Sequence, residues 1–139
     1  MSSKRRYSLN DSLASNSGIG LLTDEPDYKI CWLLNQWGNL DLIRANDLII
    51  SPDHSPVAQS YPCFESVKPG SNCLIRLVSN RSREGVWLTP LKQVDFLLLS
   101  QDSRFNLTEN PGLKSGLMEA VPAVRGVFEL PLPVLNGLI

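Results

Sequence analysis

The stretch PCFESVKPGSNCLIRLVS, residues 62–79, decides the fold of this chain. Two runs rich in apolar and β-branched residues flank Lys68-Pro69-Gly70-Ser71, a tight-turn composition. With Pro69-Gly70 as the loop, Ser66 faces Cys73 and Phe64 faces Ile75. One face of the hairpin then carries Phe64, Cys73, Ile75 and Leu77. The other carries Cys63, Glu65, Val67, Leu74, Arg76 and Val78, with Glu65 and Arg76 as diagonal neighbours able to pair. One apolar and one mixed face is the pattern of an antiparallel sheet with a single buried side. Cys63 and Cys73 fall on opposite faces, which argues against a disulfide between them.

Outward from the hairpin, residues 85–88 and 94–100 read as further strands. Asn80-Arg81-Ser82-Arg83-Glu84 and Thr89-Pro90-Leu91-Lys92 are the turns, short enough to favour antiparallel neighbours. The last strand opens as VDFLLL, residues 94–99, an acid set among apolar residues. An unpaired buried carboxylate is costly. Asp95 is therefore expected to accept N–H groups of the adjoining turn or to point to the wetter face, while Val94 and Phe96 point to the core. A ligand-binding or catalytic Asp95 is the functional alternative, since strand ends also carry sites.

On the amino-terminal side, Asp24-Glu25-Pro26-Asp27 supplies first-turn acids and a proline where its missing N–H does no harm. Ile30, Leu33, Leu34 and Trp37 follow at helical spacing, and Gly38 stands where a left-handed residue would end the helix. The spacing predicts a helix over 24–37, with Trp32 and Trp37 in its core-facing half. Leu40, Leu42 and Leu48-Ile49-Ile50 suggest short extended pieces, and 51–56 a loop. Beyond the sheet, Leu113, Leu117, Met118 and Val121 predict a second helix over 106–121, weakened by Gly112 and Gly116. Residues 124–130 form a final strand candidate. Residues 1–18 are polar and read as a mobile segment, with a possible short strand at Arg6-Tyr7-Ser8-Leu9. The sum is an α+β fold: an antiparallel β-meander of four to six strands with two helices packed on one face, in one domain over 19–139.

The totals narrow the function. The 139 residues carry a net charge of -1, so no global field draws the chain to nucleic acid or to an anionic membrane. Apolar runs such as 96–99 fall far short of the ~20 residues of a spanning helix. The basic start MSSKRR has no apolar stretch behind it, so no secretory signal is expected. Cys31, Cys63 and Cys73 are too few and odd in number for a disulfide framework. Together these features predict a cytoplasmic protein with free thiols.

Catalytic chemistry is scarce. His54 is the one histidine and lies between prolines with no nucleophile placed beside it. The cysteine spacings lack a zinc knuckle, and neither GxxxxGK nor GxGxxG occurs, so no metal or cofactor is expected. Arg76, Arg81, Arg83 and Lys92 could gather at one sheet end with Trp87, which keeps nucleic-acid or nucleotide binding as an alternative. The end of the chain is unusually apolar, with Leu132, Val134 and Leu135 as candidate docking residues or a homodimer seam.

The run Leu88-Thr89-Pro90-Leu91-Lys92-Gln93-Val94-Asp95-Phe96 resembles the signature of the IPExxxVDY family of small bacterial proteins. Leu88 stands for its Ile, and Val94, Asp95 and Phe96 for its Val-Asp-Tyr. Thr89 and Pro90 replace its Pro and Glu. Asp27-Tyr28-Lys29-Ile30-Cys31-Trp32-Leu33-Leu34-Asn35 is similar to the family's Asp-Tyr-x-Leu-x-x-x-Ile-Asn helix, and Asn80-Arg81-Ser82 to its Asn-Arg-Ser turn. The resemblance covers roughly residues 19–100. It implies a cytoplasmic protein of the phylum Bacteroidota and a definite job for Asp95, but no activity. Losing the motif's Glu weakens any site built from two carboxylates. The expected role is a non-catalytic protein-interaction or regulatory module, its contacts at Arg81, Arg83, Glu84 and the apolar tail. A small enzyme using Asp95 is the remaining alternative.

Overall fold

A computed structural model describes residues 17–50, 59–67, 73–82, 85–86 and 93–130. The expected Arg6–Leu9 strand, the 51–56 loop, Leu88, Arg83, Glu84, Lys92, Trp87, His54 and the tail with Leu132, Val134 and Leu135 lie outside these residues.

The strands are β1 (Ser17–Thr23), β2 (Ile43–Arg44), β3 (Leu48–Ile50), β4 (Gln59–Tyr61), β5 (Cys63–Val67), β6 (Leu74–Ser79), β7 (Arg81–Ser82), β8 (Gly85–Val86), β9 (Phe96–Ser100) and β10 (Val124–Glu129). The helices are α1 (Asp27–Gly38) and α2 (Leu113–Ala120). Six strands form one antiparallel sheet in the order β10-β1-β9-β6-β5-β2. From β2 to β9 the neighbours run in chain order. β1 then inserts between β9 and β10, closing the sheet with its most distant partners. The pairs β3–β4 and β7–β8 are separate two-stranded ribbons.

The β5–β6 hairpin is offset from the expected register. Ser66 pairs with Ile75 and Phe64 with Leu77, because the connection takes up residues 68–73 rather than a two-residue loop. The offset is even, so every side chain keeps its face. Glu65 and Arg76 become direct partners instead of diagonal ones, and the Arg76 Nε donates to Glu65 Oε2 at 2.6 Å.

Both faces of the sheet are buried, not one. On the first face Ile19, Leu21, Phe64, Ile75, Leu77, Phe96, Leu98 and Val127 meet Ile30, Cys31 and Leu34 of α1 and Leu117 of α2. On the second, Cys63, Val78, Leu97 and Leu99 pack with Val94, Leu130, and Leu48 and Tyr61 of the β3–β4 ribbon. All of β9 is buried, as its unbroken apolar run requires of a central strand covered on both sides.

α1 starts after Pro26, whose carbonyl accepts from Lys29 and Ile30. It ends one residue later than expected: Asn39, not Gly38, takes the left-handed conformation (φ 51°). Asparagine tolerates that conformation better than other non-glycine residues. Trp37 packs against the core, but Trp32 is on the solvent side. α2 is half the expected length. Asn106 draws the N–H groups of Thr108 and Glu109 to its side chain, and Pro111-Gly112 follows, so the helix begins only at Leu113.

Candidate functional site

The strand-opening Asp95 lies at a junction of three chain segments. Strict alternation breaks just before β9, since Val94 and Leu97, three residues apart, join the same buried cluster. Asp95 thereby leaves both core faces. Its Oδ2 accepts the backbone N–H of Thr23 at 2.9 Å, and its Oδ1 accepts from Arg81 Nε at 2.8 Å. Among the described residues its donors are the end of β1 and the start of β7; the adjoining turn at 89–92 lies outside them.

The backbone reinforces the same junction. Asp95 N–H donates to Leu21 O at 2.8 Å, and Asn80 N–H donates to Asp95 O at 2.9 Å. The fully buried Asn80 side chain donates to Val94 O at 2.9 Å. Thr23 Oγ1 in turn accepts the N–H of Glu25, setting the turn into α1. Asp95 thus fixes where β1 ends, where α1 begins and where the β7–β8 ribbon leaves the sheet.

A second polar residue of the resemblance does comparable work. Asn35 Oδ1 accepts from Leu42 N–H at 2.8 Å, and its Nδ2 donates to Leu42 O at 3.0 Å. This side chain mimics a strand partner and folds the chain from α1 onto β2. Asn35, Asn80, Arg81 and Asp95, which carry much of the resemblance, are therefore all occupied in holding connections.

At the other end of β9 is a network that the sequence reading does not single out. Ser100 Oγ donates to Asp102 Oδ1 at 2.7 Å, Arg104 N–H donates to the same oxygen at 3.0 Å, and Cys73 Sγ donates to Asp102 Oδ2 at 3.2 Å. Ser17 Oγ donates to Asp102 O at 2.6 Å and accepts from Phe105 N–H. Burial works to raise the Asp102 carboxyl. The bonds from the Ser100 hydroxyl, the Arg104 backbone and side chain, and the Cys73 thiol outweigh it and hold the group well below the usual carboxylate range. A carboxylate so stabilised is a poor general base. The signal was present as Ser100-Gln101-Asp102-Ser103-Arg104, an Asx-turn composition.

Two of the thiols and two sheet arginines are committed as well. Burial pushes the Cys63 thiol up to about 11, and burial with nearby Asp27 raises Cys31, so both stay protonated at neutral pH. Arg76 is 12% exposed and ion-paired with Glu65, which removes it from the expected basic patch. Arg81 is exposed but bonded to Asp95, so the patch would have to rest on Arg83 and Lys92.

The exposed surface offers a different feature. Tyr28 and Trp32, one turn apart on α1, are 70% and 54% exposed. Among the described residues no helix is long and apolar enough to cross a membrane. No family model, no curated protein and no solved structure matches this chain.

Proposed function

We propose that this chain is a small non-catalytic protein-interaction or regulatory module of the cytoplasm, and that α1 presents its main contact. The observation that carries the reading is the exposed Tyr28–Trp32 pair on a helix whose opposite face is anchored in the core. Large aromatics left in water at i and i+4 are the usual anchors of a helix laid into a partner's groove. The carboxylates and asparagines of the conspicuous motifs support the same reading, because their polar atoms are spent on the fold. The resemblance to the IPExxxVDY family belongs to this proposal and rests on the residues quoted above.

The test is affinity capture with the full chain, followed by reconstitution of any stoichiometric partner from purified components. The Tyr28→Ser/Trp32→Ser double variant should keep its fold and lose at least about tenfold in affinity. A Leu132→Asp/Leu135→Asp variant asks whether the apolar tail contributes. Capture of RNA without protein, with steep salt dependence, would replace the reading with nucleic-acid binding. A partner whose affinity ignores the aromatic pair would remove α1 from the contact.

A further inference from the structure

The exposed side of α1 carries more than its two rings. Asp24, Glu25 and Asp27 fall together where the helix begins, directly before Tyr28. The face is thus acidic at its start and aromatic beyond it, with Tyr28 and Trp32 one turn apart. The cations beside it are Lys29 on the same helix and Arg125, whose Nη2 bonds Asp24 at 3.0 Å. Both partners of that bond are exposed, and pairs so exposed contribute little. Asp27 Oδ1 accepts the N–H of Tyr28. Among the described residues neither Glu25 nor Asp27 has an ion-pair partner.

The chain itself holds a segment of complementary chemistry in residues 1–16, which precede β1. Lys4-Arg5-Arg6 is its only run of three consecutive cations, and Tyr7 and Leu9 follow with apolar bulk. The topology brings the segment within reach. Ser17, Ser100, Ile75 and Ser66 lie in one row across the sheet, and Ser66 Oγ accepts the N–H of Asp41, just past α1. β1 runs from that row to Thr23, whose Oγ1 accepts from Glu25 at the turn into α1. α1 therefore runs back toward the sheet end where residues 1–16 join. Ser17 to Thr23 is about 20 Å of strand. The chain from Arg6 to Ser17 spans up to about 36 Å when extended, which leaves slack for a path over the helix.

We propose that residues 4–9 fold back over the outer face of α1, with Lys4-Arg5-Arg6 against Asp24, Glu25 and Asp27, and with Tyr7 and Leu9 against Tyr28 and Trp32. Arginine suits such a face because it pairs with carboxylates and stacks on rings. The tether holds the segment at an effective concentration on the order of millimolar, so a weak contact is enough. The segment competes with a partner for the same two rings and acts as an autoinhibitory cover. This rests on the reading of α1 as the partner contact and adds its regulation.

The test uses the full chain labelled with 5-fluorotryptophan, with the Trp32 fluorine signal assigned by Trp32→Phe. In the Lys4→Glu/Arg5→Glu/Arg6→Glu variant the Trp32 signal should move and its solvent isotope shift should rise, while that of Trp37, packed on the core, stays in place. Asp24→Arg/Glu25→Arg should have the same effect. Combining the two sets restores opposite charges and should return the wild-type signal. All these positions lie outside the core clusters, and unchanged circular dichroism and melting would confirm folding. A Trp32 signal indifferent to the triple reversal overturns the proposal, as does a combined variant that fails to restore it. A partner captured on α1 should bind the triple variant at least about threefold more tightly than the wild type. A partner that needs Tyr28 and Trp32 but binds both chains equally overturns the cover and leaves the module reading standing. A Trp32 signal that responds as expected, beside a partner indifferent to Tyr28 and Trp32, supports the fold-back and removes the α1 reading instead.

Discussion

The two ends of β9 are each closed by an aspartate, and the two work over different ranges. Asp95 reaches Thr23, 72 positions away, and Arg81, 14 away. It joins three segments that are separate in the chain. Asp102 is held chiefly by Ser100 and Arg104, each two positions away, with Cys73 as its distant donor. It caps a local turn and is 44% exposed, whereas Asp95 is 17% exposed. One residue type can thus be a tertiary clasp or a turn former. The difference is decided by which strands arrive beside it and how much water remains.

The sharpest way to break the contrast is Asp95→Ala. It strands the Thr23 N–H in a buried setting and releases Arg81. The expected loss is about 3 kcal/mol in urea unfolding. A loss under about 0.5 kcal/mol, typical of a neutral surface change, would show that the clasp is not structural.

Gly20→Ala probes the packing beside the same clasp. A Cβ at Gly20 would come 2.8 Å from Val94 Cγ2, a short branched side chain with little freedom to move. The expected cost is about 2 kcal/mol by overpacking. In a Val94→Ala background the same substitution should cost much less, and a double-mutant cycle measures the difference. Additive costs would show that the two residues do not crowd each other.

The smallest effect is expected from Asp102→Asn, and it shows in the pH dependence. The folded carboxyl lies below its ordinary value, so its contribution is present above the unfolded pKa of ~3.9 and is lost as pH falls toward the folded pKa. The wild-type chain should lose stability in acid below about pH 4 more steeply than the variant. Thermal melts across that range decide it, and parallel curves would remove Asp102 from the acid response.

Elements set by local pattern were legible. The periodicity of Ile30, Leu33, Leu34 and Trp37 marks α1, and the alternation across 63–67 and 74–79 marks a hairpin with correct faces. Faces survive an error of register when it is even, because the side-chain period is two. β1 was not legible. Ser17–Thr23 carries Gly18 and Gly20, which lower strand propensity. Its place between β9 and β10 is what makes a glycine necessary there, since Val94 fills the space a side chain would take. Trp32 failed for the opposite reason: helical spacing says which residues share a face but not how wide the core beneath it is.

For the candidate site the division is the same. The sequence by itself determined that Asp95 had to be satisfied, because charge and burial are properties of the residue and its apolar neighbours. Only the tertiary structure decided that Thr23 and Arg81 satisfy it, since hydrogen-bond partners depend on which distant strands become neighbours. The fold class follows from patterns read over a few residues at a time. The insertion of β1 and the second buried face follow from contacts between residues far apart in the chain, whose energies no local window contains.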